Sequence, residues 1–466
     1  MNESVFSADH SVFETGDGSC LDLNWYQWFL AIAIHSWTRH IACEPEDAEA
    51  YFHLAILKYD WNDPEGAMAD YDKAIVLSPG FALAYYNRGN LKKNLDDDNG
   101  AMEDYNKAIE LDPCFSDAYY NRGCLKSRMD DLLGAMADYD KSIELTPRLP
   151  DAYNNRGILK DNMKDLEGAM ADYDKVIELS PGCALAYNNR GTLKCDMHDN
   201  EGAMDDYDRA IELMPEYATA YYNRGVLKSN IQDMVGALED YDKTIELKPD
   251  YALAYKNRGN LKYDMDDMEG AQADFNKAIE LDPDYSDCYN DRGLVKFQIK
   301  DYAGAMADYD KAIELDPESG LPYYNRSLLK IELDDNKGAL EDLDKAIELM
   351  PDDWDSYNER GYLRFRMKDL DGAVHDINRA LALNPDSADV YRNRGEVMAS
   401  IERHEEALDD FNMAIKLDPD NLNAYKLRGR CYRALAGKEL DPEKKAVYLR
   451  KAGEDERYVT TVSGCS

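Results

Sequence analysis

Apolar and small residues recur at helical spacing along most of the chain, in stretches of about a dozen residues parted by short polar turns. Residues 218–251 show the pattern. Ala218-Thr-Ala-Tyr-Tyr-Asn-Arg-Gly-Val-Leu-Lys reads as one amphipathic helix, and a polar turn around Asp233 follows. Gly236-Ala-Leu-Glu-Asp-Tyr-Asp-Lys-Thr-Ile-Glu-Leu-Lys reads as a second helix, closed by Pro249. Proline stops a helix because it lacks an N–H and its ring clashes with the preceding turn. The same stop returns at Pro45, Pro79, Pro113, Pro147, Pro181, Pro215, Pro249, Pro283, Pro317, Pro351, Pro385 and Pro419, each 34 residues from the last. Twelve of the 16 prolines thus share one phase. A fixed period of that length predicts an all-α array of one helix-turn-helix unit stacked on copies of itself.

With this proline at position 32, eleven complete repeats run from 48–81 to 388–421, and a twelfth follows from 422 with five extra residues expected between its helices. Position 8 is glycine in ten repeats, Gly89 through Gly429, and position 20 is alanine in all eleven complete ones, Ala67 through Ala407. Glycine within a helix costs ~1 kcal/mol relative to alanine. A cost repeated this often points to a recurring benefit, the close approach of a facing helix.

Tyr85, Gly89, Ala101, Tyr105, Ala108 and Pro113 stand at positions 4, 8, 20, 24, 27 and 32 of the second repeat, and the chain therefore resembles the tetratricopeptide repeat family over residues 48–455. The resemblance implies a right-handed superhelical α-solenoid whose first helices line a concave groove. The departures are mild: Arg at position 7, Lys at position 11, Ala55 for glycine in the first repeat and Ser327 in the ninth. The expected organisation is a disordered start over 1–20 and an incomplete N-terminal repeat or cap over 21–47. Repeats then fill 48–421, a divergent repeat or cap covers 422–457, with a capping helix over Glu443 to Arg457, and a flexible tail spans 458–466.

Position 7 is Arg from Arg88 to Arg428 but Leu54 in the first repeat, while position 23 is Asp from Asp70 to Asp410. Pairing within a repeat would leave Asp70 opposite Leu54 and Arg428 without an acid. Pairing each Asp with the Arg 18 residues later, Asp70 with Arg88 through Asp410 with Arg428, leaves no orphan. A ladder between successive repeats is therefore expected, setting register more than adding stability.

Position 6 carries the candidate binding residues: Asn87, Asn121, Asn155, Asn189, Asn223, Asn257, Asn325 and Asn393, replaced elsewhere by Asp291, Glu359 and Leu427. Asparagine is a mediocre helix former, so its recurrence needs a reason. Its amide offers a donor and an acceptor, matching the N–H and C=O of an extended peptide. The resemblance places position 6 on the groove, and the row is similar to that in the repeat half of O-linked N-acetylglucosamine transferases. Caps or solvated side chains are the plainer alternative. The family's carboxylate clamp for chaperone tails is not expected: Lys256 and Asn260 fit its first part, but Asp291 would repel the tail.

Composition narrows the partners. The formal charge of −40 opposes nucleic acid and leaves a protein or peptide partner, basic if charge steers it. Nine cysteines without regular spacing argue against a disulfide framework and favour a cytoplasmic setting. The N-terminus lacks a secretion signal, and the apolar run Trp25 to Ile34 is too short for the ~20 residues that span a bilayer. Asp96-Asp97-Asp98-Asn99-Gly100 has Leu95 and Asn106 where a calcium loop needs carboxylates. Cys195/His198 and His40/Cys43 have metal-like spacing without a second pair of ligands. No metal, cofactor or catalytic motif is expected. The sequence favours a non-enzymatic interaction scaffold or adaptor, with a substrate-selecting subunit of an enzyme complex or a self-assembling array as alternatives. The ends differ: 21–44 hold Trp25, Trp28 and Trp37, a covering helix or else a surface-binding one, and 422–466 carry ten basic against six acidic residues.

Overall fold

The computed structural model describes residues 12–14, 20–22 and 25–463. Twenty-five helices, α1 to α25 in chain order, make up nearly all of these residues. The expected disordered start falls outside the described residues, except that β1 (Val12–Glu14) and β2 (Cys20–Asp22) pair antiparallel. From α2 (Ala48–Asp60) and α3 (Pro64–Leu77) to α22 (Ala388–Ser400) and α23 (His404–Leu417), a 13-residue first helix alternates with a 14-residue second helix. The chain divides into two compact halves, residues 1–227 and 228–466. Within each half first helices pack on their own second helices, and second helices on the next first helices. This is the α-solenoid arrangement of repeated helix pairs.

The acidic turns are helix caps. In the second repeat Asp96 takes the left-handed conformation, with φ of 58°, and Asp97 turns back to accept the Gly100 N–H at 2.9 Å. Such a cap satisfies one of the otherwise unpaired N–H groups at the helix start. A Cβ on Gly100 would lie 2.1 Å from Asp97 Oδ2, so a side chain there would force the carboxylate to turn, whereas the caps of Asp47 and Asp353 hold Ala50 and Ser356. In the eleventh repeat both partners change together: Arg403 replaces the aspartate, Glu406 the glycine, and Arg403 Nε donates to Glu406 at 2.6 Å.

The core repeats with the sequence. Position-20 alanines such as Ala101, Ala169 and Ala305 are fully buried, and the rings of Tyr105, Tyr173 and Tyr309 are almost wholly enclosed. The position-8 glycines face these rings. A Cβ on Gly89 would come within 2.9 Å of Tyr105 Cε1, the close helix approach that the sequence implied. Ser327 is tolerated in the ninth repeat because Leu343, not an aromatic ring, stands at position 24.

The ion pairs correct the expected register. Arg88 clasps Asp104, 16 residues later in its own repeat, through Nε at 2.9 Å and Nη2 at 2.6 Å. Lys92 reaches the same carboxylate at 2.9 Å. The link between repeats runs through position 25 instead: Arg88 Nη1 donates to Asp72 at 2.6 Å. In the C-terminal half Arg326 repeats this, clasping Asp342 and reaching back to Asp310 at 2.6 Å. Each guanidinium also lies over the ring at position 4, as Arg156 does 5.4 Å from Tyr153. The two supposed orphans have partners that the period hides. Lys58 lies 2.6 Å from Asp70, and Arg428 clasps Asp455, 27 residues later, at 2.5 and 3.0 Å.

That longer offset reflects a twelfth repeat built from α24 (Leu422–Lys438) and α25 (Pro442–Ser463), with more inserted residues than the five expected. The last helix runs past 457, where a flexible tail was expected to begin. The Tyr458 ring lies 4.4 Å from that of Tyr425, and its hydroxyl donates to the Pro419 carbonyl at 3.3 Å. At the other end α1 (Trp25–Cys43) packs on α2, with Trp37 stacked on His53 at 5.2 Å.

Candidate functional site

Positions 5, 6, 9, 12 and 13 of a first helix lie along one side of it, because residues three or four apart share a face, and Tyr86 and Asn90 on this side also touch Tyr105 of their own second helix. The asparagine row lies on this side and is bonded along it. Asn121 Nδ2 donates to the Tyr86 hydroxyl at 2.8 Å, and Asn155 Nδ2 to that of Tyr120 at 3.1 Å. Asn189 and Asn223 donate to the carbonyls of Asn154 and Asn188, at 3.1 and 3.0 Å. Each acceptor stands at position 5 of the preceding repeat, 35 residues back. In the C-terminal half Asn325 and Asn393 donate to Asn290 and Asn358, at 2.8 and 3.0 Å. Asn87 hydrogen-bonds the hydroxyl of Tyr71, 16 residues back on the second helix of the preceding repeat. Asn257 holds the same position in the seventh repeat and is half-buried.

The amide N–H groups that the sequence offered to a ligand are therefore engaged by neighbouring repeats. Sequence reasoning missed the acceptors at position 5, because they alternate between tyrosine and asparagine and show no fixed identity. Among the described residues no donor reaches the side-chain carbonyl of Asn121 or Asn223, so an acceptor remains at these positions.

Clefts open beside the row. One of 410 Å³ in the N-terminal half is bordered by Tyr59, Asn87, Asn90, Lys93, Asn94 and Asn121. Another of 330 Å³ is bordered by Cys124, Ser127, Asn155, Ile158 and Asn162. A third, of 500 Å³ in the C-terminal half, is charged, with Glu359 and Glu396 facing Arg392, Lys426 and Arg430 around Asn393. A further cleft of 280 Å³ borders the ion pair of Arg394 and Asp410 and not the asparagines.

Where an acid replaces the asparagine, its ionisation is disfavoured. Asp291 meets Lys256 at 3.8 Å, yet burial pushes its carboxyl above the ordinary range. Burial does the same to Glu359; Asp355 adds to the effect, and Arg392 opposes it. An acid whose pKa is higher folded than unfolded binds its proton more tightly in the fold. Its penalty is absent below the unfolded value and grows as pH rises to the folded one. Glu359→Gln is therefore expected to stabilise the C-terminal half at neutral pH, with the gain vanishing in acid. Urea titrations across pH check this, and a gain independent of pH would rule out charge as its cause.

The residues with metal-like spacing serve the frame. His40 in the last turn of α1 and Glu44 and Asp47 just after it bring side-chain atoms within 4.8 Å of one another. His40 Nε2 bonds Asp47 Oδ2 at 2.9 Å, while Asp47 Oδ1 caps α2 through the Glu49 and Ala50 N–H groups. Cys195 Sγ lies 3.6 Å from the Tyr207 hydroxyl, and burial raises its thiol pKa. No helix among the described residues is long and apolar enough to cross a membrane.

Tetratricopeptide repeat family models match residues 48–81, 82–113, 104–137, 150–183, 252–285, 286–319, 322–353 and 358–422, and a TPR repeat model matches 193–230. No curated protein matches significantly. Similar solved structures include a tetratricopeptide repeat protein from Parabacteroides merdae, 21% identical, covering 53% of this chain and 98% of that one with a TM-score of 0.44. The APC/C hetero-tetramer Cut9–Hcn1 is 13% identical, covers 88% of this chain and 96% of that one, and has a TM-score of 0.49. YrrB, a TPR protein with an unusual peptide-binding site, is 29% identical, covers 40% of this chain and 95% of that one, and has a TM-score of 0.33. The family matches cover most of the chain: it is a member of the tetratricopeptide repeat family.

Proposed function

We propose that this protein is an interaction scaffold that holds an extended polypeptide along the first-helix side of its repeats. One observation carries the reading: the clefts of 410 and 330 Å³ are bordered by the asparagine row and its neighbours at positions 9, 12 and 13, and that of 500 Å³ by residues at positions 5, 6 and 9. A repeated polar wall with varied flanks suits backbone grip combined with side-chain choice, the usual logic of an extended ligand in a groove. The asparagines act in a divided way. Their N–H groups fix the wall, and carbonyls such as those of Asn121 and Asn223 accept N–H groups of the bound chain. The N-terminal clefts are largely uncharged amides, hydroxyls and apolar groups, while the C-terminal cleft offers both signs of charge.

Replacing the row itself would also break contacts between repeats, so the test uses residues beside it. A photo-crosslinking side chain at Ile158 or Asn162, in the 330 Å³ cleft, is expected to capture a polypeptide from lysate of the source cell. The same group at the exposed Glu103, on a second helix, is not. Capture at Glu103 alone would place binding on the outer surface and sink the proposal.

A further inference from the structure

The twelfth repeat departs from the asparagine row. Position 6 holds Leu427, while positions 5 and 9 are Lys426 and Arg430, four residues apart on one side of α24. In no earlier repeat do both of these positions carry a cation. The nearby arginines of the frame are neutralised within it. Arg394 clasps Asp410, Arg428 clasps Asp455, and Arg433 pairs with Glu456. Lys426 and Arg430 are exposed, border the 500 Å³ cleft, and form no ion pair with any described residue.

The same cleft contains two acids, and they do not cancel these cations. Glu359 is answered by Arg392, which also reaches Asp389 at 3.2 Å, and burial already disfavours the ionised form of Glu359. Glu396 remains, without an ion pair among the described residues, against two cations. The asparagine row offers no open carbonyl here of the kind left at Asn121 and Asn223. Asn393 donates to Asn358 at 3.0 Å, and its own carbonyl accepts from Arg392 at 3.1 Å. Lys426 and Arg430 bring donors without acceptors, since an ammonium and a guanidinium offer N–H groups only. The groups that match them best are carboxylates, which accept charge-assisted hydrogen bonds.

We propose that the last three repeats take an acidic segment of the bound polypeptide, Lys426 and Arg430 holding an aspartate or glutamate side chain between them. This rests on the reading of the first-helix side as the binding wall, and adds the chemistry that its C-terminal end selects. The net charge of −40 favours a basic partner only at long range. That field is screened beyond ~8 Å in physiological salt, whereas the two cations act at contact and decide which side chain fits. Glu396 opposes the bound acid and keeps the preference moderate.

Selection of random peptides by the immobilised full chain tests this. The peptides are displayed inside a carrier protein, so that only their side chains carry charge. Those retained by the wild type are expected to be enriched in aspartate and glutamate. Lys426→Glu/Arg430→Glu should turn the preference to lysine and arginine, with unchanged helical circular dichroism because both side chains are exposed. A synthetic copy of an enriched peptide, blocked at both ends, should bind the wild type about tenfold more tightly than its acid-to-amide version, the discrimination of one hydrogen bond to a charged group. The double variant should bind the two alike. Glu396→Gln should widen the difference, and added salt should narrow it. Enriched peptides without acidic preference, or an acidic preference that persists in the double variant, overturn the proposal while leaving the binding wall in place. Failure of the wild type to enrich any peptide would remove the binding wall itself, and the proposal with it.

Discussion

Arg190→Met is expected to weaken the fifth repeat by about 3–5 kcal/mol, the cost of leaving a buried charge without its main partner. Arg190 clasps Asp206 at 2.9 and 2.6 Å and reaches Asp174 at 2.7 Å. These hydrogen bonds, that to Asp206 foremost, hold the guanidinium protonated far above its ordinary range despite its burial. Asp206 is 3% exposed, so water cannot replace the lost donor. Lys194, 2.8 Å away, remains and should keep the loss toward the lower end of the range. The chain contains this state already: Asp70 has Lys58 but no arginine, and burial pushes its carboxyl above the ordinary value. Hydrogen exchange of the amides over 184–213 reads the effect locally, because repeat arrays couple mainly to nearest neighbours. Asp206→Asn in the same background should recover part of the loss by removing the stranded charge. Unchanged protection in Arg190→Met would mean that the clasp contributes only register.

Gly293→Val is expected to cost near the upper end of the about 1–3 kcal/mol typical of overpacking a core. A Cβ there would lie 2.6 Å from Tyr309 Cε1, and that ring is 1% exposed with nowhere to move. The first repeat houses Ala55 beside Tyr71, so one methyl can be fitted by a small helix shift; valine adds two more groups. Gly429 is the control. Its Cβ would meet Asp455 Cβ at 3.5 Å, an ordinary contact, because α25 stands further off. Gly429→Ala should therefore gain up to ~1 kcal/mol from helix propensity. Opposite signs at two glycines of the same position, measured by urea denaturation, would assign the requirement to the facing ring; equal signs would reject that cause.

The helix pairs, their turns and the small-residue contacts were legible in the sequence because each rests on local spacing. Proline at position 32 and alanine at position 20 act within one repeat, and eleven copies make the pattern unmistakable. The Asp–Arg register was misread for an instructive reason. In a strict 34-residue repeat, offsets of 16 and 18 residues pair the same two residue types, so only the chain ends separate them. At the ends the partners changed: Lys58 serves Asp70, and an insertion moved the last acid to Asp455. The second acid of each clasp, such as Asp72 and Asp174, varies to asparagine at Asn106 and Asn276 and gave no ionic pattern to follow.

By itself the sequence determined an all-α array, its period, its repeat boundaries over 48–421 and the row of asparagines on one face, all consequences of helical periodicity and proline stops. Only the tertiary structure decided what those side chains touch. An asparagine six residues into a first helix has no visible partner in its own repeat. Stacking brings the preceding repeat's position 5 within hydrogen-bond reach, 35 residues back, and commits the amide N–H to the wall while leaving carbonyls and clefts beside it.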